Sequence, residues 1–223
     1  MTTIKDVRNV VQPLLQRYDD LALIGRTIVV KPVHHFVRGV RLERRMDPKL
    51  FLPTTDIYIL FGYGDYPLGG FGDRFNDPAS ETPSVSDPHS IEAMFDLIEK
   101  EVLPYLRSMQ TLESYIAFAS QREFQSNYVF GDPIRFFLAI ALGDFASALS
   151  IWESNSILRS NMDRLTPSLH PALRGEDEGE LARLLHARER ITVYGLKLTK
   201  IWETTPFPLE LGIRSNSGIA RLP

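Results

Sequence analysis

The chain contains no cysteine. Disulfides, thiolate metal centres, iron–sulfur clusters and a cysteine nucleophile are thereby excluded, and a reducing compartment fits. Also missing is any uncharged run of the roughly 18 to 20 residues that a bilayer-spanning helix needs. The N-terminus, Met1-Thr2-Thr3-Ile4-Lys5-Asp6, lacks the apolar stretch of a secretory signal. A cytoplasmic protein without membrane contact is expected. Gly-x-Ser-x-Gly, His-Glu-x-x-His and kinase signatures are absent as well, so nucleophilic, zinc-hydrolytic and phosphotransfer chemistry has no anchor.

What is present is ordinary globular composition: 223 residues, 43% hydrophobic and 24% charged, enough to bury a substantial core. The net charge of -3 is unevenly spread. Residues 1 to 50 carry 10 basic and 5 acidic side chains, and residues 51 to 131 carry 4 and 12. Two halves that attract each other, or two surfaces for different partners, would both produce this asymmetry.

Apolar periodicity predicts an α+β fold. An amphipathic helix is expected over 3 to 18, kinked or broken at Pro13. Alternating segments at 24 to 31, 34 to 45 and 54 to 62 predict an antiparallel meander. Pairing 28 with 38, 40 with 59 and 42 with 57 puts the apolar residues on one side. A helix capped by Asp87 should run through 88 to 107 and bend at Pro104, with a shorter one over 111 to 120. A hairpin over 133 to 158, turning at Gly143-Asp144 and capped at Asp132-Pro133, and a long helix over 176 to 203 complete the expectation. The long helix should dock on the hairpin through Leu184, Leu185, Ile191, Leu198 and Trp202. The tail from Thr204 reads as extended or frayed chain. The domains expected are an α+β domain over 1 to 120 and a dependent helical extension over 121 to 223.

Residues 62 to 90 gather five glycines and four prolines into a long loop, a length that marks functional lids or disordered segments. Gly62-Tyr63-Gly64-Asp65-Tyr66-Pro67 fails as a phosphate cradle, because proline stands where the third glycine belongs and no Gly-Lys-Ser/Thr follows. Asp65, Asp73, Asp77, Glu81 and Asp87 lack the alternate spacing of a calcium loop. Among the histidines, the neighbours His34 and His35 point to opposite faces of a strand. His186 and Glu189 lie one helical turn apart and read as a helix-surface pair. No catalytic, cofactor-binding or metal-ligating set is assigned, and no cofactor is expected.

The densest chemical feature is a basic strand, with Arg38, Arg41, Arg44 and Arg45 following His34 and His35. Alternation places His35, Arg41, Glu43 and Arg45 on the polar face and Arg38 on the apolar one. The candidate binding residues are His35, Arg38, Arg41 and Arg45, with Tyr63 and Tyr66 from the loop. A buried Arg38 needs a carboxylate, and Glu92, Asp96 or Glu99 of the packing helix is expected to supply it, Asp96 first.

The run Phe137-Leu138-Ala139-Ile140-Ala141-Leu142-Gly143-Asp144-Phe145-Ala146-Ser147-Ala148-Leu149 resembles the middle of a tetratricopeptide-type hairpin, which implies a helix pair and a peptide-binding groove. The pattern Gly25, Lys31-Pro32, Arg38-Gly39-Val40 and Glu101-Val102-Leu103-Pro104-Tyr105-Leu106 resembles a family of uncharacterised bacterial proteins. That resemblance implies a bacterial cytoplasmic origin and no activity. The expected function is non-catalytic protein–protein interaction, as an adaptor or immunity-like protein whose partner is another protein. The alternatives are an enzyme with an unrecognised site, or an anion- or nucleic-acid-binding module on the basic strand.

Overall fold

The computed structural model describes residues 3–47, 49–62, 82–120, 131–213 and 219. They form an antiparallel sheet with flanking helices followed by a helical C-terminal part, the α+β class expected. The chain divides into two compact units. The first takes the described residues of 1–58, 70–110 and 197–203, and the second those of 59–69, 111–196 and 204–223. Among the described residues no helix is long and apolar enough to cross a membrane.

The first unit opens with α1 (Ile4–Arg17), which runs unbroken through Pro13 and starts in a capping box between Thr3 and Asp6. Its buried stripe is Val7, Val11 and Leu14. Strands β1 (Leu21–Ile24) and β2 (Thr27–Val30) are joined by Gly25-Arg26, with Gly25 at φ +61°. A two-residue hairpin of this kind favours glycine at its first central position. One predicted strand over 24 to 31 is therefore a turn and a strand, and the strand before it escaped the period-2 pattern because Leu21-Ala22-Leu23-Ile24 is a short continuous apolar run.

Strands β3 (Phe36–Arg44) and β4 (Phe51–Ile59) complete the order β1-β2-β3-β4. Ile28 lies opposite Val40 rather than residue 38, a register two residues from the one predicted. A slip of two leaves every side chain on its predicted face. All nine residues of β4 are buried, so the sheet is covered on both sides there rather than half-buried. Gly39 fits closely under β2: a Cβ at this position would stand 2.4 Å from the Ile28 carbonyl oxygen.

Asp87 caps α2 (Pro88–Leu97), accepting from the His89 and Ser90 amides. The predicted bend at Pro104 is taken up upstream by one π turn over Ile98–Val102, where Leu103 N–H donates to the Ile98 carbonyl five residues back, before α3 (Leu103–Ser108) resumes. Lys197–Glu203 belongs to this unit and not to a helix. It runs beside Val33, which donates to Ile201 O at 2.9 Å and accepts from Glu203 N–H at 2.8 Å.

The second unit is helical: α4 (Leu112–Ser120), α5 (Asp132–Ala141), α6 (Phe145–Ser154), α7 (Ser156–Leu165), α8 (Leu169–Arg174), α9 (Glu178–Gly195) and a 3₁₀ turn at Pro208–Leu211. α5 is apolar almost all round and forms the centre, with Phe136 to Ala141 buried. Gly143 at φ +70° and the cap from Asp144 to the Ser147 amide turn it into α6. Asp132 is the first residue of α5 rather than its cap, and accepts from Arg135 at 2.7 Å and Asn155 at 3.0 Å. Asn155 ends the predicted hairpin early: its amide closes α6 on Ile151 O, and its side chain caps α7 through the Leu158 amide at 2.8 Å.

α9 stops at Gly195, with Lys197 at φ +61° two residues on, so Leu198 and Trp202 are not on this helix. Leu181, Leu184 and Leu185 are buried and the helix packs on α5 and α8, whereas Ile191 is 55% exposed and faces away from the packing predicted for it.

Candidate functional site

The basic strand of the first unit spends its arginines on the fold. Arg38 is buried and faces the apolar side as predicted, but it meets no helix carboxylate there. It donates through Nη1 to the Met109 carbonyl and through Nη2 to the Pro32 carbonyl at 3.3 Å. Burial lowers its proton affinity, and the charge of Asp20 opposes that. Of the three acids expected for it, Asp96 pairs with Lys100 and Glu99 with Arg17, at 2.8 and 2.7 Å, and Glu92 is exposed. Backbone carbonyls carry no sequence signature, so this solution could not be read from side-chain spacing.

On the other face, Arg41 reaches Asp56 Oδ2 with Nε at 2.9 Å and Nη2 at 2.6 Å, and Thr27 Oγ1 donates to the same oxygen at 3.3 Å. Asp56 is buried, and desolvation raises its pKa even against the neighbouring guanidinium. Tyr58 is likewise raised, by burial first and then by the Asp56 charge. His35 is buried, and Arg45 is exposed just past the end of β3. The named residues do not converge: Arg38 and Arg41 project from opposite faces, and Tyr63 and Tyr66 lie outside the described residues.

The second unit holds the more unusual constellation. His186 and Glu189, one turn apart on α9, are not a surface pair, because Glu189 is fully buried and His186 largely so. His186 Nδ1 lies 3.4 Å from Glu189 Oε2, and its Nε2 lies 2.9 Å from Glu210 Oε2. Glu210 stands in the 3₁₀ turn, and the same oxygen accepts the Phe207 amide at 2.7 Å. The buried Phe207 ring packs on the imidazole at 4.7 Å and edge-on against Phe61 at 5.0 Å. One ring is thus held between two carboxylates. Thr192, on the same helix, is also buried.

Sequence reasoning missed Glu210 by reading the tail as frayed. The signal was Phe207-Pro208-Leu209-Glu210, a proline at the first helical position with glutamate two residues later, which is the entry pattern of a capped turn.

The opposite side of α9 faces solvent. Ile191 is 55% and Tyr194 82% exposed, and Arg190 between the buried stripes is exposed with no ion pair among the described residues. Among the described residues no group of three or more acidic or histidine side chains is arranged to hold a metal ion. Comparison of the chain with protein-family models, with curated proteins and with solved structures gave no match.

Proposed function

We propose that this protein acts by binding another protein through the outward face of α9, without catalysis. The observation that supports it is the set Arg190, Ile191 and Tyr194: an aliphatic and an aromatic side chain left in water beside an exposed guanidinium that has no ion pair among the described residues, on a helix buried along its other side. Aromatic residues and arginine dominate interface hot spots, and a rigid helix presents them at little entropic cost. The complementary surface is an apolar groove flanked by a carboxylate. The anion-binding alternative is weakened because Arg41 is committed to Asp56 and Arg38 to carbonyls. The lack of cysteine fits a cytoplasmic setting, and the family resemblance a bacterial one.

The test compares the full chain with an Ile191→Asp/Tyr194→Asp variant, and with Arg8→Glu on the exposed side of α1 as control. A partner captured from the source cells by the wild type is purified and its affinity measured for all three. Loss of two central contacts should weaken binding at least about tenfold, with the control unchanged. Equal affinity of a correctly folded double variant would remove α9 as the binding face.

A further inference from the structure

Arg38 carries a charge that its contacts orient without cancelling. The carbonyls of Met109 and Pro32 fix the guanidinium and keep it out of the outward row of the basic strand, but a carbonyl supplies a dipole and no negative charge. Arginine keeps its proton in proteins, so burial is not relieved by neutralisation, and an ion this desolvated is ordinarily met by a carboxylate. Arg38 is 7% exposed, makes no ion pair among the described residues, and its Nε donates to no acceptor there.

The carbonyls that hold Arg38 bring two more cations beside it. Pro32 follows Lys31, whose backbone N–H donates to the Asp20 carbonyl at 2.7 Å. Met109 lies two residues beyond Arg107, which forks the Asp20 carboxylate at 2.7 and 2.8 Å. All of these residues belong to the first unit. Asp20 is the acid whose charge acts on both guanidiniums, and Lys31 acts on Asp20 in turn. Three cations therefore share one carboxylate. Arg107 is 34% exposed and Lys31 is half-buried with no ion pair among the described residues, so solvent reaches the cluster through these two.

We propose that Lys31, Arg38 and Arg107 form a binding site for a phosphoryl group, held on a small phosphorylated ligand or as free phosphate. The charge balance selects it. Three cations against the single carboxylate of Asp20 leave two positive charges over, and a phosphate monoester carries about -1.5 to -2 at pH 7. A monocarboxylate would cancel only half of that excess. The planar fork of arginine matches phosphate oxygens, and Lys31 adds a point charge beside it. The orientation is set in advance: carbonyls fix Arg38, and Arg107 is steadied over the Tyr18 ring at 4.7 Å. This site is independent of the α9 face, and neither proposal rests on the other.

The test is titration of the full chain with inorganic phosphate at constant ionic strength, followed by amide chemical shifts, with chloride and acetate as comparison anions. Phosphate should give a saturable response, and acetate should bind at least about tenfold more weakly. Methyl phosphate, a minimal monoester, separates the two sources: tighter binding than phosphate assigns the site to an esterified ligand, and weaker binding assigns it to the free ion. Arg38→Met should abolish the response. Two milder variants carry the test where that one fails to fold, because they shift affinity in opposite directions. Lys31→Gln removes a cation and should weaken phosphate about threefold or more, whereas Asp20→Asn removes the competing carboxylate and should tighten it by a similar factor. A merely structural cluster would lose affinity in both. No saturable response beyond that of chloride by about 20 mM phosphate, well above a millimolar dissociation constant, would overturn the site. So would weaker binding in Asp20→Asn, and acetate binding as tightly as phosphate would overturn the phosphoryl assignment.

Discussion

The two units handle buried charge in opposite ways. In the first, buried and half-buried ions are held by direct hydrogen bonds: Asp56 by Arg41 and Thr27, Arg38 by two carbonyls, Asp20 by both arms of Arg107 at 2.7 and 2.8 Å. In the second, one imidazole lies between two acids, 3.4 Å from Glu189 Oε2 and 2.9 Å from Glu210 Oε2. A fully paired cluster fixes a shape, because changing either partner costs free energy. The difference teaches where a single substitution should be read in stability: at the tightly paired positions of the first unit.

If the first unit is architecture, its strictest position should be a backbone contact with no charge at all. Gly39→Ala places a methyl 2.4 Å from the Ile28 carbonyl oxygen, with no rotamer to relieve it. β2 and β3 would have to separate where their pairing is central. Denaturant unfolding should show a loss of about 3 kcal/mol, the upper range for overpacking. A loss under about 1 kcal/mol would mean that the sheet is more pliant than this packing implies.

Next in size is the asymmetry of the Arg41–Asp56 pair. Asp56 is 7% exposed and Arg41 44%, so Arg41→Met abandons a buried carboxylate while Asp56→Asn abandons a guanidinium that water can reach. The first should cost about 2 to 3 kcal/mol and the second about 1 or less. The pH dependence has a definite sign. The folded-state pKa of Asp56 lies above its ordinary value of 3.8, so the group favours the fold below that pH and its contribution is lost as pH rises through the raised value. In Arg41→Met that acid-side advantage should grow. Equal costs for the two variants would show that water reaches Asp56, and the contrast between the units would shrink.

How far the sequence disclosed all this depends on which forces were local. The cap at Asp87, the helix start at Thr111 and the turn at Gly143-Asp144 follow from short-range hydrogen bonding and stand where residue spacing predicts, whereas the cap expected at Asp132 falls one residue earlier, at Gly131. Face assignment in β3 survived a register error because the side-chain period is two. The misses are non-local. Whether Glu189 faced water or core depended on what packs against α9, and the end of α9 depended on Lys197 entering the αL region, which lysine rarely does. Ile191, predicted as a docking residue with Leu184 and Leu185, is 55% exposed while its neighbours Thr192 and Val193 are buried, so a residue read as core became part of the exposed face on which the proposed binding surface rests.

The smallest expected effect concerns Asp20 and Arg107, the pair of the first unit that solvent reaches most evenly, at 37% and 34% side-chain exposure. Arg107 forks both oxygens of Asp20 and lies over the Tyr18 ring at 4.7 Å, tying α3 to the chain just after α1. The hydrogen bonds from Arg107 hold the Asp20 carboxyl below its ordinary range, ahead of the opposing effect of burial. A depressed folded-state pKa stabilises the fold above the unfolded value of 3.8 and is lost as pH falls through the lower one. Because the pair is screened, the loss should be about 0.5 to 1 kcal/mol. Asp20→Asn should remove this acid-side term and cost a similar amount at neutral pH, measured by urea unfolding at several pH values. The term runs opposite in sign to that of Asp56, so a double variant carrying Asp20→Asn and Asp56→Asn should show a flatter acid profile than either single change. An unaltered profile would mean that Arg107 holds α3 through the Tyr18 ring rather than through the carboxylate, and that pairing in this unit is less complete than its geometry indicates.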